Sequence, residues 1–565
     1  MQSRMTLSEF FVAYLRRAGV KEIFGLPGDL VLRLFSRLGE RREWKMFTFS
    51  HEPAVGFAAD GYARATGSLG VACVTYGAGG HNMVNAVAGS YAEHVPVLVV
   101  SGGPGEQEYK YGTLIHHQAR AIDSQLRIYR EVTAAAETID DPRTAAEKVD
   151  HVVRTLWREQ RPGYLEIHRD MVDQPIHVPR AIQDAGSPLE LERSDAGKVR
   201  EAARDTAERL NRAKKPAVFV GIETFRFKAQ REVVQLCERI GAPVLTPMLS
   251  KGAVPMDHPL YMGMIGTHSP PPIRKRAEEA DLVLDLGCLA TDLGGFPQPS
   301  SRDRLIRAQG KRVDVSFHTY TDVTLRDFVR ALLDEKLRDH GEKVVYHDNL
   351  PTAPRWLREL EKKPARRGAS RAVARSSTVK VAEVLQVLNH FLARRRGYVV
   401  VAESGDMLFA GADVRVGGKA AAYFAQGFYA SMGFGVPGAM GIEIGTGDRT
   451  IVLCGDGAFQ MTGPEIAHAN RNGTRPIVLL MNNGGWGIFR PVVEKPAILE
   501  IPPWPYAEMA RLWGGDGERV ASGPDLLAAL ERAEKSKRFC LVEVMIGKND
   551  LSPLSRKYIR TSSRR

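Results

Sequence analysis

Short runs of apolar residues, each closed by Gly, Pro, Asp or another polar residue, recur along the chain and are separated by stretches with helical periodicity. The runs are Val71–Tyr76, Val95–Ser101, Tyr164–His168, Pro216–Gly221, Leu282–Gly287, Tyr398–Glu403, Ile451–Gly455, Ile477–Asn482 and Leu541–Ile546. A strand that is apolar along its whole length has no face for water, so it belongs in a sheet covered on both sides. Its alternation with helices predicts an α/β fold of doubly wound parallel sheets. Thr6-Leu7-Ser8-Glu9 has the form of a capping box and predicts the start of the first helix.

At 565 residues the chain is too long for one core and suits three domains. Polar breaks at Ile182–Lys198 and His340–Ser377 set their limits. The expected organisation is a first domain over 1–180, a middle domain over 195–340, a linker over 341–375, a third domain over 376–550 and a basic tail over 551–565. Lys and Arg number 78 against 66 Asp and Glu, a formal excess of +12. Part of that excess sits in Arg366–Arg375 and in the tail from Arg556, both expected to be solvated. Basic and aromatic residues do not interleave, so no nucleic-acid partner is expected. The uncharged stretch Ala420–Ile442 is long enough to span a bilayer, but it holds five glycines and Pro437. It reads as a buried Gly-rich segment beside a ligand, and no membrane partner is expected. Five scattered cysteines without a CxxC read as buried thiols in a reducing compartment, which points to the cytoplasm.

The most informative stretch is Ile451-Val-Leu-Cys-Gly-Asp-Gly-Ala458, followed by Met481-Asn-Asn-Gly-Gly485. A strand ending in Gly455-Asp456-Gly457, a helix, and a strand ending in Asn482-Asn483 put Asp456 and Asn483 at the carboxyl edge of adjacent strands. Ligands bind there in open α/β sheets. A carboxylate and an amide oxygen suit Mg²⁺ or Ca²⁺, with other sites left to water, a backbone carbonyl and phosphate oxygens. The glycines let the backbone approach a diphosphate, whose charge suits the N-terminus of the next helix.

This pattern resembles the metal and diphosphate motif of the thiamine-diphosphate-dependent enzymes. Ser50-His51-Glu52-Pro53-Ala54-Val55-Gly56 resembles their glutamate motif, in which Glu52 bonds the pyrimidine ring of the cofactor. The resemblance implies three domains (pyrimidine-binding, middle and diphosphate-binding) and the cofactors thiamine diphosphate and Mg²⁺. It also implies a homotetramer, a dimer of dimers, with each cofactor at a subunit interface. The implied metal set is Asp456, Asn483 and Gly485. The implied cofactor contacts are Glu52, Gly405, Asp406, Met432, Gly455, Asp456, Gly457, Ala458, Asn483, Gly485 and Ile488. Met432, in Ala430-Ser431-Met432, would bend the cofactor so that its rings meet. Asp406 is the odd member, because an anion beside a phosphate is unfavourable.

Further marks are similar to the 2-oxo acid decarboxylases, above all the pyruvate, indolepyruvate and phenylpyruvate decarboxylases. Gly25-Leu26-Pro27-Gly28-Asp29 resembles their aspartate loop, and His116-His117 resembles their histidine pair. Thr75-Tyr76-Gly77-Ala78-Gly79 and Ala88–Val97 belong to the same likeness. The implied reaction is non-oxidative decarboxylation of a 2-oxo acid to an aldehyde and CO₂. Its implied catalytic residues are Asp29, Glu52, His116 and His117, side chains able to exchange protons near neutral pH. The alternative is an acyloin-forming carboligase or lyase of the same family. One departure bears on the substrate: where the family carries a glutamate after its asparagine pair, this chain has Phe489. Asp292, at the end of Leu286–Asp292 in a middle domain read as structural, is the candidate replacement. Phe489 would instead offer an apolar wall, extended by Met461 and Trp486, to an aryl acid such as phenylpyruvate or indolepyruvate.

Overall fold

The computed structural model describes residues 5–112, 114–190, 192–292, 301–362 and 377–562. The basic run Arg366–Arg375 lies outside them. The chain divides into two compact units. The first takes in residues up to Glu192 together with 436–447 and 471–473, and the second takes in the remainder.

In the first unit, β1 (Met5–Thr6) runs into a helix whose capping box forms as expected, with the Glu9 N–H on Thr6 Oγ1 at 3.3 Å and the Thr6 N–H on Glu9 Oε2 at 2.9 Å. The main sheet is built of β2 (Glu22–Gly25), β3 (Lys45–Thr48), β4 (Gly70–Val74), β5 (Val97–Gly103), β6 (Ala135–Ile139) and β7 (Gly163–His168). Its order is β3-β2-β4-β5-β7-β6, parallel throughout. A short β8 (Pro175–Ile176) pairs antiparallel with β1.

The second unit holds two sheets. One comprises β9 (Pro216–Val220), β10 (Val244–Thr246), β11 (Tyr261–Met264), β12 (Leu282–Leu286), β13 (Leu305–Gln309), β14 (Arg312–Val315) and β15 (His318–Thr321), in the order β11-β10-β9-β12-β13-β14-β15. This sheet is parallel from β11 to β13, as expected, and is extended at one edge by an antiparallel meander of β13, β14 and β15. Only Gly310 and Lys311 separate β13 from β14, and so short a link joins antiparallel strands alone. The other sheet comprises β16 (Tyr398–Ala402), β17 (Tyr423–Ala425), β18 (Arg449–Gly455), β19 (Ile477–Asn482), β20 (Asp516–Val520) and β21 (Cys540–Met545). Its order, β17-β16-β18-β19-β21-β20, repeats that of the first unit's sheet. In both, the first long strand in the chain lies between the second and third. The switch points are thus β2 beside β4 and β16 beside β18, where an α/β sheet opens a crevice for ligands.

Two expectations on chain organisation are revised. The Gly-rich stretch does not stay with its sequence neighbours: the helix Gly435–Thr446 packs, from Val436 on, within the first unit. A Cβ on Gly61 would stand 2.2 Å from the Gly438 carbonyl oxygen, and one on Gly441 would stand 2.0 Å from that of Ala58. Glycines on both sides let this helix and the helix Glu52–Thr66 touch backbone to backbone. The tail is also ordered, as a helix over Pro553–Ser562, because Leu554 and Ile559 bury an apolar stripe and Tyr558 meets the Phe409 ring at 5.0 Å. Within the expected linker, Arg355–Lys362 forms a helix, and the Trp356 indole donates to Glu383 at 3.0 Å. All five cysteines are buried, and among the described residues no helix is long and apolar enough to cross a membrane.

Helix Glu52–Thr66 is locked at its far end by Arg64, which is buried with both its carboxylate partners, Asp60 and Glu93. The Arg64 Nη1–Glu93 Oε2 distance is 2.6 Å. Replacing Arg64 with Met would leave two carboxylates buried without their cation. We expect Arg64→Met to lose about 3–5 kcal/mol of stability, read as a lower midpoint of thermal or urea unfolding.

Candidate active site

The first unit gathers one cluster at its switch point. Asp29 follows β2, Thr75 follows β4, and the Thr75 hydroxyl donates to Asp29 Oδ1 at 3.2 Å. Gly28 makes this approach possible, since a Cβ there would lie 2.5 Å from that of Thr75. His116 Nε2 bonds Asp29 Oδ2, and His117 Nε2 lies 3.7 Å from Asp29 Oδ1. The two imidazole rings are 4.7 Å apart. Burial pushes the Asp29 carboxyl up, but the bonds from His116, the Leu30 N–H and Thr75 outweigh it and leave the group more acidic than usual. A carboxylate coupled to two exposed imidazoles can accept and return protons at an open surface. Glu52 opens the helix Glu52–Thr66 and accepts from Asn82 Nδ2 at 2.8 Å. Asn82 was not anticipated; thirty positions away on the helix Ala78–Ala92, it has no signal in the sequence.

The second unit gathers the other cluster where β16, β18 and β19 end. Asp456 follows β18 and is buried. Its Oδ1 accepts the Gly457 N–H at 2.9 Å, and its Oδ2 accepts those of Gly484 at 2.7 Å and Gly485 at 3.2 Å. Burial raises this carboxyl to about 6 in spite of those donors, so a cation nearby would restore its ionised form. Asn482 is tied to Glu543 at 2.7 Å, whereas Asn483 Oδ1 accepts the Gly485 N–H at 3.1 Å and sits beside Asp456. The carboxylate, the Asn483 amide and the Gly485 carbonyl are hard oxygen donors of the kind a small divalent cation takes. Next to them, a Cβ built on Gly405, Gly455 or Gly484 would meet nothing within 4 Å. The backbone there faces open space, as a diphosphate requires, and Ala458 lies on the helix that begins at Asp456. The residues present therefore fit both a diphosphate and its metal.

Glu403, read in the sequence only as the residue that closes the apolar run Tyr398–Glu403, has a larger place than expected. Its carboxylate is buried and accepts the N–H groups of Ser404 at 2.8 Å, Gly433 at 3.2 Å and Gly435 at 2.7 Å. It thereby fastens the Met432 segment to the end of β16. The signal was an acid closing an apolar strand, a position where it must find donors.

Several expected residues are turned elsewhere. Asp406 faces Ser552, accepting its hydroxyl at 2.7 Å and its N–H at 3.1 Å. This half-buried carboxylate needs donors, and the tail supplies them. Trp486 is packed on Gly457, where a Cβ would stand 2.5 Å from the indole. Ile488 lies against the core of the β16–β21 sheet. Phe489 and Met461 remain 51% and 45% exposed. Asp292 is exposed in a turn beyond β12 and, among the described residues, has no hydrogen bond to either cluster.

Burial lifts the Glu403 carboxyl from 4.5 to about 7, the three N–H donors pulling the other way. A native carboxyl above its unfolded value binds more protons than the unfolded chain between those two values. Stability therefore falls as pH rises through that window. We expect Glu403 to withdraw about 3 kcal/mol of stability from the cofactor-free protein between pH 4.5 and about 7, so that Glu403→Gln shifts the pH dependence of thermal unfolding upward by that amount relative to wild type across the window.

Comparison with known proteins agrees with this arrangement. Residues 5–127 match the N-terminal TPP binding domain of the thiamine pyrophosphate enzymes, 203–335 match their central domain and 404–544 match their C-terminal TPP binding domain. The chain is 35% identical over 570 aligned residues, 99% of each chain, to an indole-3-pyruvate decarboxylase of Azospirillum brasilense. It is 28% identical to pyruvate decarboxylase 4 of Arabidopsis thaliana, over 97% of this chain and 90% of the relative. It is also 28% identical to pyruvate decarboxylase isozyme 2 of Saccharomyces cerevisiae, over 96% of each. These relatives do not favour the carboligase alternative. With two matching thiamine-binding domains and likeness over its whole length, the chain belongs to the thiamine-diphosphate-dependent 2-oxo acid decarboxylases.

Proposed function

We propose that this decarboxylase acts on aryl 2-oxo acids, phenylpyruvate or indolepyruvate, and releases the aryl aldehyde. The observation that carries this reading is Phe489. A large apolar ring stands half exposed beside the Asn483 loop, where the family resemblance implies a glutamate. A carboxylate there suits a small polar acid; a phenyl ring offers an aryl substrate a stacking face worth about 0.5–1.5 kcal/mol beyond simple burial. Met461, exposed on the helix Asp456–Thr462, adds adaptable apolar surface, while Trp486 serves mainly to cover Gly457. The indole-3-pyruvate named for the Azospirillum relative is of the same chemical class.

When bound, thiamine diphosphate supplies the carbon nucleophile and electron sink that decarboxylation of a 2-oxo acid needs. The chain's own groups do the rest. Asp456, Asn483 and the Gly485 carbonyl would hold Mg²⁺, and Gly405, Gly455, Gly457 and Ala458 would accommodate the diphosphate. Glu52, steadied by Asn82, would hold a proton toward the pyrimidine ring, and Met432 would support the cofactor. Asp29, His116 and His117 deliver and remove the protons of aldehyde formation. We place the enzyme in the cytoplasm as a homotetramer in which Glu52 and Asp456 at each cofactor come from different chains. Asp292 is left without a catalytic part.

Two sets of measurements test this. Glu52→Gln and Asp456→Ala should each abolish turnover, and Asp456→Ala should also lose cofactor on dialysis against chelator. Unfolding and refolding the two variants together should return about a quarter of wild-type activity if the residues come from different chains of a symmetric pair; none should return if both come from one chain. In the second set, kcat/KM should favour phenylpyruvate or indolepyruvate over pyruvate by at least about tenfold, and Phe489→Ala should narrow that preference. Preference for pyruvate, with aryl acids gained in Phe489→Ala, would identify the ring as a plug.

A further inference from the structure

A carboxylate and two imidazoles on exposed loops keep a working geometry only if something beneath them is fixed. Three consecutive residues after β4 reach Asp29, His117 and the segment that follows the histidines. Thr75 holds Asp29, the Tyr76 hydroxyl donates to the Ile122 carbonyl at 2.8 Å, and the Gly77 N–H donates to Gln125 Oε1 at 2.7 Å. Ile122 lies at the far end of the loop that carries His116 and His117, and Gln125 lies in the first turn of the helix Ser124–Val132 that follows it. Gly77 is also where that loop meets the strand end. A Cβ on Gly77 would stand 2.1 Å from the His117 carbonyl oxygen, and His117 itself adopts a left-handed φ of 70°. The orientation of the Gly77 peptide therefore sets where His117 can lie.

Gln125 is fully buried and is itself fixed from below. Its Nε2 donates to Ser101 Oγ at 2.9 Å and to the Tyr164 hydroxyl at 2.6 Å, and that hydroxyl donates to Glu166 Oε2 at 2.7 Å. Ser101 and Glu166 are direct neighbours across β5 and β7, in the middle of the sheet. Tyr129 stacks on Tyr164 at 4.0 Å and donates to the Gly80 carbonyl at 2.8 Å, while a Cβ on Gly80 would collide with Gln125. The sense of the bonds is fixed as well, since an amide oxygen only accepts and an amide nitrogen only donates. Burial moves the Glu166 carboxyl up to about 7, against the bonds from Tyr164 and Gln125.

We infer that Gln125 is the positioning residue of the Asp29–His116–His117 cluster, pinning Gly77 and the end of the histidine loop to the buried Ser101–Tyr164–Glu166 network. It touches no reacting atom. The inference rests on the proton-handling role given above to Asp29, His116 and His117.

Gln125→Met keeps the length of the side chain and removes every hydrogen bond. Two readouts on the full-length, cofactor-loaded protein separate the inference from the functional reading. The first, independent of turnover, is the rate at which diethyl pyrocarbonate modifies His116 and His117 across pH, followed by peptide mass spectrometry. The second is the pH profile of kcat and KM for phenylpyruvate. Gln125→Met should raise the modification rate, lower kcat by at least about tenfold with KM within about threefold, displace the limbs of the pH profile and retain cofactor. Tyr164→Phe, which spares the Gly77 bond, should fall between wild type and Gln125→Met, and it carries the test if Gln125→Met does not fold. A folded variant with wild-type modification rates, or with kcat within about twofold and an unmoved profile, overturns the inference. Altered modification in a protein whose wild type leaves phenylpyruvate untouched upholds the positioning role and refutes the aryl substrate instead.

Discussion

A parallel strand buried on both faces can offer polar chemistry only where it ends. That constraint governs both clusters of this enzyme. Along β4, β5, β16, β18 and β19 nearly every side chain is given to the core, and the polar groups that matter follow the last strand residue: Thr75 after β4, Glu403 after β16, Asp456 after β18 and Asn483 after β19. The repeated strand order places a switch point in each of the two outer sheets, so the chain presents two crevices of the same kind. One is furnished with proton carriers and the other with oxygen donors.

The second crevice relies on backbone rather than on side-chain cations. Asp456 and Glu403 are both buried, and their described hydrogen-bond donors are peptide N–H groups, one from the next residue and two from a distant glycine turn in each case. Peptide dipoles are rigid, so they hold an anion in place without a partner that can swing away. They do not fully offset the loss of water, which is why both carboxyls sit above their ordinary range. Around Asp456 that residual cost favours a bound cation. Around Glu403 it is borne by the fold, in return for a fixed Met432 segment.

How much of this was legible in the sequence follows from how local each feature is. The nine apolar runs all become strands because their signal lies within five to seven residues. The strands that escaped are short or lie toward sheet edges, such as Lys45-Met-Phe-Thr48, Arg312-Val-Asp-Val315 and Asp516-Gly-Glu-Arg-Val520, where one side meets water and charges break the pattern. Asp456, Asn483, Asp29, His116 and His117 stood in recognisable motifs, and the structure brings the acid and the two histidines together across 87 positions. Asn82, Gln125 and the partner of Asp406 had no such signal. Each acts through a contact between distant segments, and neither residue type nor spacing announces it. The helix in the tail escaped for a related reason: its basic residues are exposed as expected, and that composition hid the apolar stripe of Leu554, Tyr558 and Ile559.

The glycine-to-glycine packing of helix 435–446 on helix 52–66 has a bearing on how the chain is made. A protein emerges from the ribosome in order, and domains generally fold as units as they appear. Here the first unit is not a continuous piece of chain: the surface around Gly61 receives its covering helix only when residues 436–447 have been synthesised, more than two hundred residues after the first sheet is complete. Until then Ala58 and Gly61 present bare backbone with no side chains to shield it. The first sheet must pass through synthesis as an unfinished body, and a gene break near residue 192 would yield a fragment without its own outer layer.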